Sequence, residues 1–321
     1  MCPLARVILT IWFFSIGAVA HSQNRSPVSN PDEMRIVWVD VDNFWRAYDR
    51  LASAKNTSDS LSILKNYYLD VASPGLLAYA DAAHATAADF LRSWRSHQRY
   101  LAAIRPATDN IGRQKPAILD AARRLKKAYP VATFPDLYLA IGKFEVGGTA
   151  FDNLLYIGAE LKCATENAPL QELRPDLRDG VKPVKELPTS CIHEIVHGQQ
   201  QPKNYRTNLE GVLREGAAEY VAYRLTGKLG SPTAFAYGRQ HEGALRQQFA
   251  KAADQPIAAK WFLATADAAT QQPGALGYFI GFRICESYYK QARDKEAALQ
   301  TIIALSDLPA LMSQGRLYLA H

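Results

Sequence analysis

The chain has 321 residues, enough to bury a full core as one large domain or as two. Hydrophobic residues make up 48% and charged residues 21%, an ordinary balance for a globular protein. The net charge of +6 is mild, and Arg123-Arg124-Leu125-Lys126-Lys127 is the only dense basic run. That run reads as a solvated helix face; a nucleic-acid footprint needs a broader patch, so no nucleic-acid partner is expected.

Residues 1–20 read as an export signal. Arg6 precedes the apolar run Val7-Ile8-Leu9-Thr10-Ile11-Trp12-Phe13-Phe14, and Ala18-Val19-Ala20 has the small-x-small form of a cleavage site. The run is short for a membrane span. The expectation is a chain exported to the periplasm or the extracellular space, with no stable membrane insertion after cleavage. Residues 21–33 are rich in Ser, Asn and Pro and read as a flexible leader. Asn24-Arg25-Ser26 and Asn56-Thr57-Ser58 match glycosylation acceptors, which matter only in a eukaryotic secretory pathway.

Residues 34–130 read as an N-terminal helical region. Apolar residues recur at helical spacing in Val41-Phe44-Trp45-Tyr48-Leu51, Leu61-Leu64-Tyr67-Tyr68, Ala83-Ala87-Phe90-Leu91-Trp94 and Ile118-Ala121-Ala122-Leu125. Such aromatic stripes are expected in a core. The pattern changes after Tyr129-Pro130. Residues 136–142 and 153–158 are short, apolar and strand-like, with Gly147-Gly148 between them, so the spacing predicts a hairpin. An exposed edge there can pair with an extended peptide. Residues 163–186 predict a loop that borders a cleft.

His193-Glu194-Ile195-Val196-His197 comes next, with Thr189 or Ser190 as the expected helix cap. Positions i and i+4 share one helix face, so both imidazoles can grip one metal ion. Glu194 projects beside that metal, where a base must sit. A second amphipathic segment carries Glu215 and Glu219, with Leu209, Val212, Leu213, Ala217, Tyr220 and Val221 as its apolar side. His193, His197 and Glu215 make a His₂Glu set for Zn²⁺ that leaves one position open. Glu219 either accepts the free ring N–H of a zinc histidine or is itself the third ligand. Gly227 and Gly230-Ser231-Pro232 mark a break, and the remainder predicts helices near 232–252, 256–268, 275–293 and 295–305. Without Cys2, three cysteines remain: Cys163, Cys191 and Cys285. They allow one disulfide and a free thiol, or three buried thiols, but not a disulfide-built scaffold.

His193-Glu194-x-x-His197 together with Glu215-Gly216-Ala217-Ala218-Glu219-Tyr220 resembles the gluzincin metallopeptidases. A closer resemblance is to a family of bacterial predicted zinc-dependent proteases, which adds a Gly-Tyr-x-Ile-Gly helix, here Gly277-Tyr278-Phe279-Ile280-Gly281. It covers roughly residues 135–321. It implies an α+β, predominantly helical fold: a thermolysin-like catalytic domain over 131–321, with a small edge hairpin, preceded by the helical region. It favours Glu215 over Glu219 as the ligand.

The chemistry expected is peptide hydrolysis. Zinc lowers the pKa of its water toward about 7, and Glu194 takes the proton as the water attacks a carbonyl. A second donor for the oxyanion is expected at Tyr278, with His241 and Tyr237 as alternatives and a core role for the Tyr278 ring as the competing reading. The substrate is a peptide or protein. The absence of a Gly-x-Met-x-Asn-type amine motif leans toward endopeptidase over aminopeptidase. A different class also fits: a non-catalytic helical binding module with a structural or vestigial zinc site.

Overall fold

The computed structural model describes residues 25–151, 153–201, 204–262 and 272–320. The export-signal reading and Asn24 therefore lie outside the described residues. The fold is α+β and predominantly helical. The N-terminal helices are α1 (Val39–Arg50), α2 (Thr57–Leu64), α3 (Pro74–Ala82), α4 (Ala87–Ser96), α5 (Gln98–Thr108) and α6 (Lys115–Ala128). The strands are β1 (Ile36–Val37), β2 (Asp136–Ala140), β3 (Gly148–Phe151) and β4 (Leu154–Gly158). After short α7 (Ala159–Lys162) and α8 (Pro175–Arg178) come α9 (Leu187–Gln199), α10 (Asn208–Thr226), α11 (Pro232–Gln240), α12 (Glu242–Ala250), α13 (Leu276–Gln291), α14 (Lys295–Ala304) and α15 (Leu308–Ala320). None of the described helices is long and apolar enough to cross a membrane.

The N-terminal helices form where the apolar stripes and caps coincide. Asn56, Ser73 and Thr86 each accept a backbone N–H at the start of α2, α3 and α4, and Thr86 completes a capping box with Asp89. Phe44, Tyr68, Phe90 and Trp94 are fully buried and meet largely edge to face. These helices share a sheet and a core with the C-terminal part of the chain. Strand β1 pairs with β2, and one hydrophobic cluster runs from Met34 to Leu311. Val28 exchanges two backbone hydrogen bonds with Phe134, and Pro31–Glu33 forms a 3-10 turn against α6, so the second half of the expected leader is packed on the fold.

The sheet corrects the expected hairpin. Strands β2 and β4 run parallel, Leu137 opposite Leu155 and Leu139 opposite Ile157. The antiparallel partner of β4 is β3, which lies within the expected connection, and the order is β1-β2-β4-β3. The reason is burial. Every residue of β2 and β4 is buried, the mark of central strands covered on both faces. Strand β3 is short, starts at glycine and is half-exposed, so it forms the open edge.

Helix boundaries differ from expectation in four places. α9 opens at Leu187 with Pro188 in its first turn and has no side-chain cap. Thr189, expected as a cap, is buried inside it and hydrogen-bonded to Thr226. The expected helix over 232–252 breaks at His241 into α11 and α12. Of the expected helix over 256–268, a 3-10 turn at Ala259–Trp261 is seen, and residues 263–268 lie outside the described residues. The expected loop at 163–186 holds α8 and two 3-10 turns.

Candidate metal centre

The site is built on α9, α10 and α13. α10 is fixed at both ends: Thr207 and Glu210 form a capping box, and Gly227 closes the helix with φ 76°. It is buried on almost every side and crosses α13 at a contact between glycines. A Cβ on Gly216 would lie 2.1 Å from the Gly281 carbonyl carbon, and one on Gly281 would lie 1.7 Å from the Val212 carbonyl oxygen. That close crossing brings Tyr278, three residues before Gly281, into the cleft beside α9.

The three expected ligands meet. His193 Nε2 and His197 Nε2 are 3.1 Å apart, and Glu215 Oε2 lies 3.4 Å from the first and 3.2 Å from the second. Donors bound tetrahedrally at about 2.0–2.2 Å have edges of about 3.4 Å. The triangle therefore has the size of one face of a metal's coordination shell, and the nitrogen and oxygen donors suit zinc and other divalent transition metals. The side chains are 13%, 7% and 13% exposed for His193, His197 and Glu215. Burial alone would lower His193, but Glu215, Glu219 and Glu194 outweigh it and raise it to about 10. Burial would raise Glu215, but His197, Arg214 and His193 hold it well below the carboxylate range. The cluster thus stabilises a positive charge between the carboxylates, carried by a proton or by a metal.

A second ring of contacts orients these three side chains. Glu219 Oε2 lies 3.6 Å from His193 Nδ1, and its other oxygen accepts the backbone N–H groups of Gly230 and Ser231 at 2.5 and 3.2 Å. Sequence reasoning missed two partners. Gln200 is buried, bonds His197 Nδ1 through Oε1 at 2.8 Å and donates to the Arg214 carbonyl at 2.9 Å. Arg214 donates to Glu215 Oε1 at 2.8 Å, leaving Oε2 toward the histidines. Gln200 follows the last residue of α9 and has extended backbone, so helical spacing from His197 could not have flagged it.

Glu194 and Tyr278 line the same cleft, an open cavity of about 140 Å³. Strand β3 starts against Glu194: a Cβ on Gly148 would lie 2.5 Å from Glu194 Oε1. Tyr278 is half-buried and stacks on His193, with ring centroids 5.9 Å apart and 17° between planes. It is a cleft residue, not a core aromatic. Burial and the Glu215 and Glu194 carboxylates push its phenol well above the usual range, so it stays protonated as a donor. The alternatives lie elsewhere: Tyr237 and His241 pack on each other with centroids 4.2 Å apart, outside the cleft lining. Cys163, Cys191 and Cys285 are buried free thiols, so the described residues form no disulfide.

Comparison of the chain with protein-family models, curated proteins and solved structures finds no match.

Proposed function

We propose that this chain is an exported zinc-dependent peptidase of the gluzincin type that hydrolyses peptide bonds as an endopeptidase. The observation that carries the reading is the triangle of His193, His197 and Glu215 donors beside Glu194 in one cleft. The same pair of helices next to a small sheet supports a thermolysin-like catalytic half.

His193, His197 and Glu215 would hold the metal; Glu219 lies by His193 Nδ1 and Gln200 bonds His197 Nδ1, which leaves both Nε2 atoms for that role. A zinc ion there supplies a Lewis acid that polarises a carbonyl and makes water more acidic. Glu194 does the proton work. Its carboxylate takes a proton from the attacking water and delivers it to the leaving nitrogen. The Tyr278 phenol donates to the carbonyl oxygen as negative charge builds there. The free edge of β3 pairs with an extended substrate through main-chain hydrogen bonds, which adds affinity with little side-chain preference.

The test is a digest of a proteome-derived peptide mixture by the mature chain, with and without chelator. Cleavage that chelator stops and zinc restores is the expected result. A chain that binds zinc tightly and cleaves nothing would make the site structural or vestigial, and the protein a binding module.

A further inference from the structure

Two lysines line the cleft with Glu194, and the proposed hydrolysis does not use them. Lys182 is 8% exposed and Lys162 is half-buried. A buried ammonium is expected to find a carboxylate, because desolvation disfavours the bare charge. These two find consecutive carbonyls of one turn instead. Lys182 Nζ donates to Asp179 O at 2.7 Å, and Lys162 Nζ donates to Gly180 O at 3.1 Å. Each ammonium has three donors, so neither is saturated by that one bond. Among the described ion pairs, neither lysine has a carboxylate within 4.0 Å. Burial lowers Lys182 to about 8 and the Lys162 charge adds to the same effect, against the weaker pull of Glu219, Glu186 and Asp179.

The backbone makes room for this arrangement. A Cβ on Gly147 would lie 2.3 Å from Lys162 Cε, while one on Gly148 would strike Glu194. The two glycines at the head of the edge strand therefore admit Lys162 and Glu194 side by side. Ser190 and Thr233 add hydroxyls to the same wall.

We infer that Lys162 and Lys182 form an anion subsite of the cleft, and that this chain selects peptides carrying a carboxylate close to the scissile bond. The inference rests on the peptidase reading and names the substrate class of that site. The carboxylate comes either from an Asp or Glu side chain or from the peptide's own C-terminus. Both present two oxygens to donors from two ammonium groups.

The test separates binding from hydrolysis. The zinc-loaded Glu194→Gln full chain is titrated by calorimetry with short N-acetylated peptides in matched pairs: internal Glu against Gln, and free C-terminus against amide. The carboxylate member of a pair should bind on the order of 10–100-fold more tightly than its neutral partner. The pair that shows the difference identifies the source of the carboxylate. Adding Lys182→Met should bring the ratio toward one, and Lys182→Arg should keep much of it. Lys162→Met, at a half-buried position, gives the same readout if Lys182→Met does not fold. Equal binding of both members, no binding of any carboxylate peptide, or a preference that survives both methionine variants overturns the inference. A carboxylate preference in binding with no hydrolysis by the wild type leaves the subsite standing and removes the peptidase reading. Hydrolysis without the preference does the reverse.

Discussion

Gly216 and Gly281 touch backbone to backbone where α10 crosses α13, and no other residue fits at either position. The contact couples Glu215, one residue before Gly216 and proposed to hold the metal, to Tyr278, three residues before Gly281. Gly281→Ala would drive a methyl group into the Val212 carbonyl. Overpacking of this kind typically costs about 1–3 kcal/mol. The helices must part, so metal affinity should fall along with the midpoint of thermal unfolding. Measuring both in one variant checks the coupling; a stable Gly281→Ala chain with unchanged zinc affinity would break it.

The ligand set predicts graded metal loss. His193→Ala and His197→Ala should each abolish stoichiometric zinc, because no other described donor joins the cluster. Glu219→Gln and Gln200→Leu act through the imidazoles and should weaken affinity by roughly 10–100-fold. Competition with a metal-binding dye ranks the four. If Glu219→Gln strips the metal and Glu215→Gln does not, the third ligand is Glu219.

Tyr278→Phe removes one hydroxyl and almost no volume. Loss of an oxyanion donor typically costs on the order of 10²–10³ in kcat. KM and thermal stability should change little. A wild-type kcat would leave Tyr278 as a wall of the cleft against His193 and nothing more.

Glu160 predicts a pH dependence away from the metal. It is fully buried, its Oε1 accepts the Phe144 N–H at 3.3 Å, and its Oε2 has no partner. Burial raises its carboxyl from the usual 4.5 to about 7, against the pull of the Gly142 and Phe144 backbone N–H groups. The folded state therefore binds this proton more tightly than the unfolded state. The stabilisation is complete below about pH 4.5 and is lost as pH rises through about 7. Glu160→Gln mimics the protonated form. Its stability should match wild type near pH 4.5 and exceed it by on the order of 3 kcal/mol above pH 7. Denaturant midpoints across that range measure the gap; a gap independent of pH would show that Glu160 does not titrate there.

The helical parts and the clustering of His193, His197 and Glu215 were legible because they depend on local spacing. His193 and His197 share a helix face, and the Glu215 segment carries its own apolar stripe. The sheet was harder. The runs at 136–140 and 154–158 are continuously apolar, which signals central strands, yet the two apolar runs flanking glycines imitate a hairpin. Gly148-Thr149-Ala150-Phe151 has no alternating pattern to mark it as the edge strand. Gln200 was out of reach, because it lies just past the end of α9 in extended backbone. So were Lys162 and Lys182: they enter the cleft from α7 and from the turn after α8, and only tertiary folding brings them to Glu194.

Whether Glu194 is the base of a metal-dependent hydrolysis is decided by Glu194→Gln. Zinc content and peptide turnover are measured on the same preparation of wild type and variant. Zinc should be equal, close to one per chain, with kcat lowered by orders of magnitude in the variant, because the amide cannot take the proton. Equal zinc with equal turnover would contradict that role for Glu194.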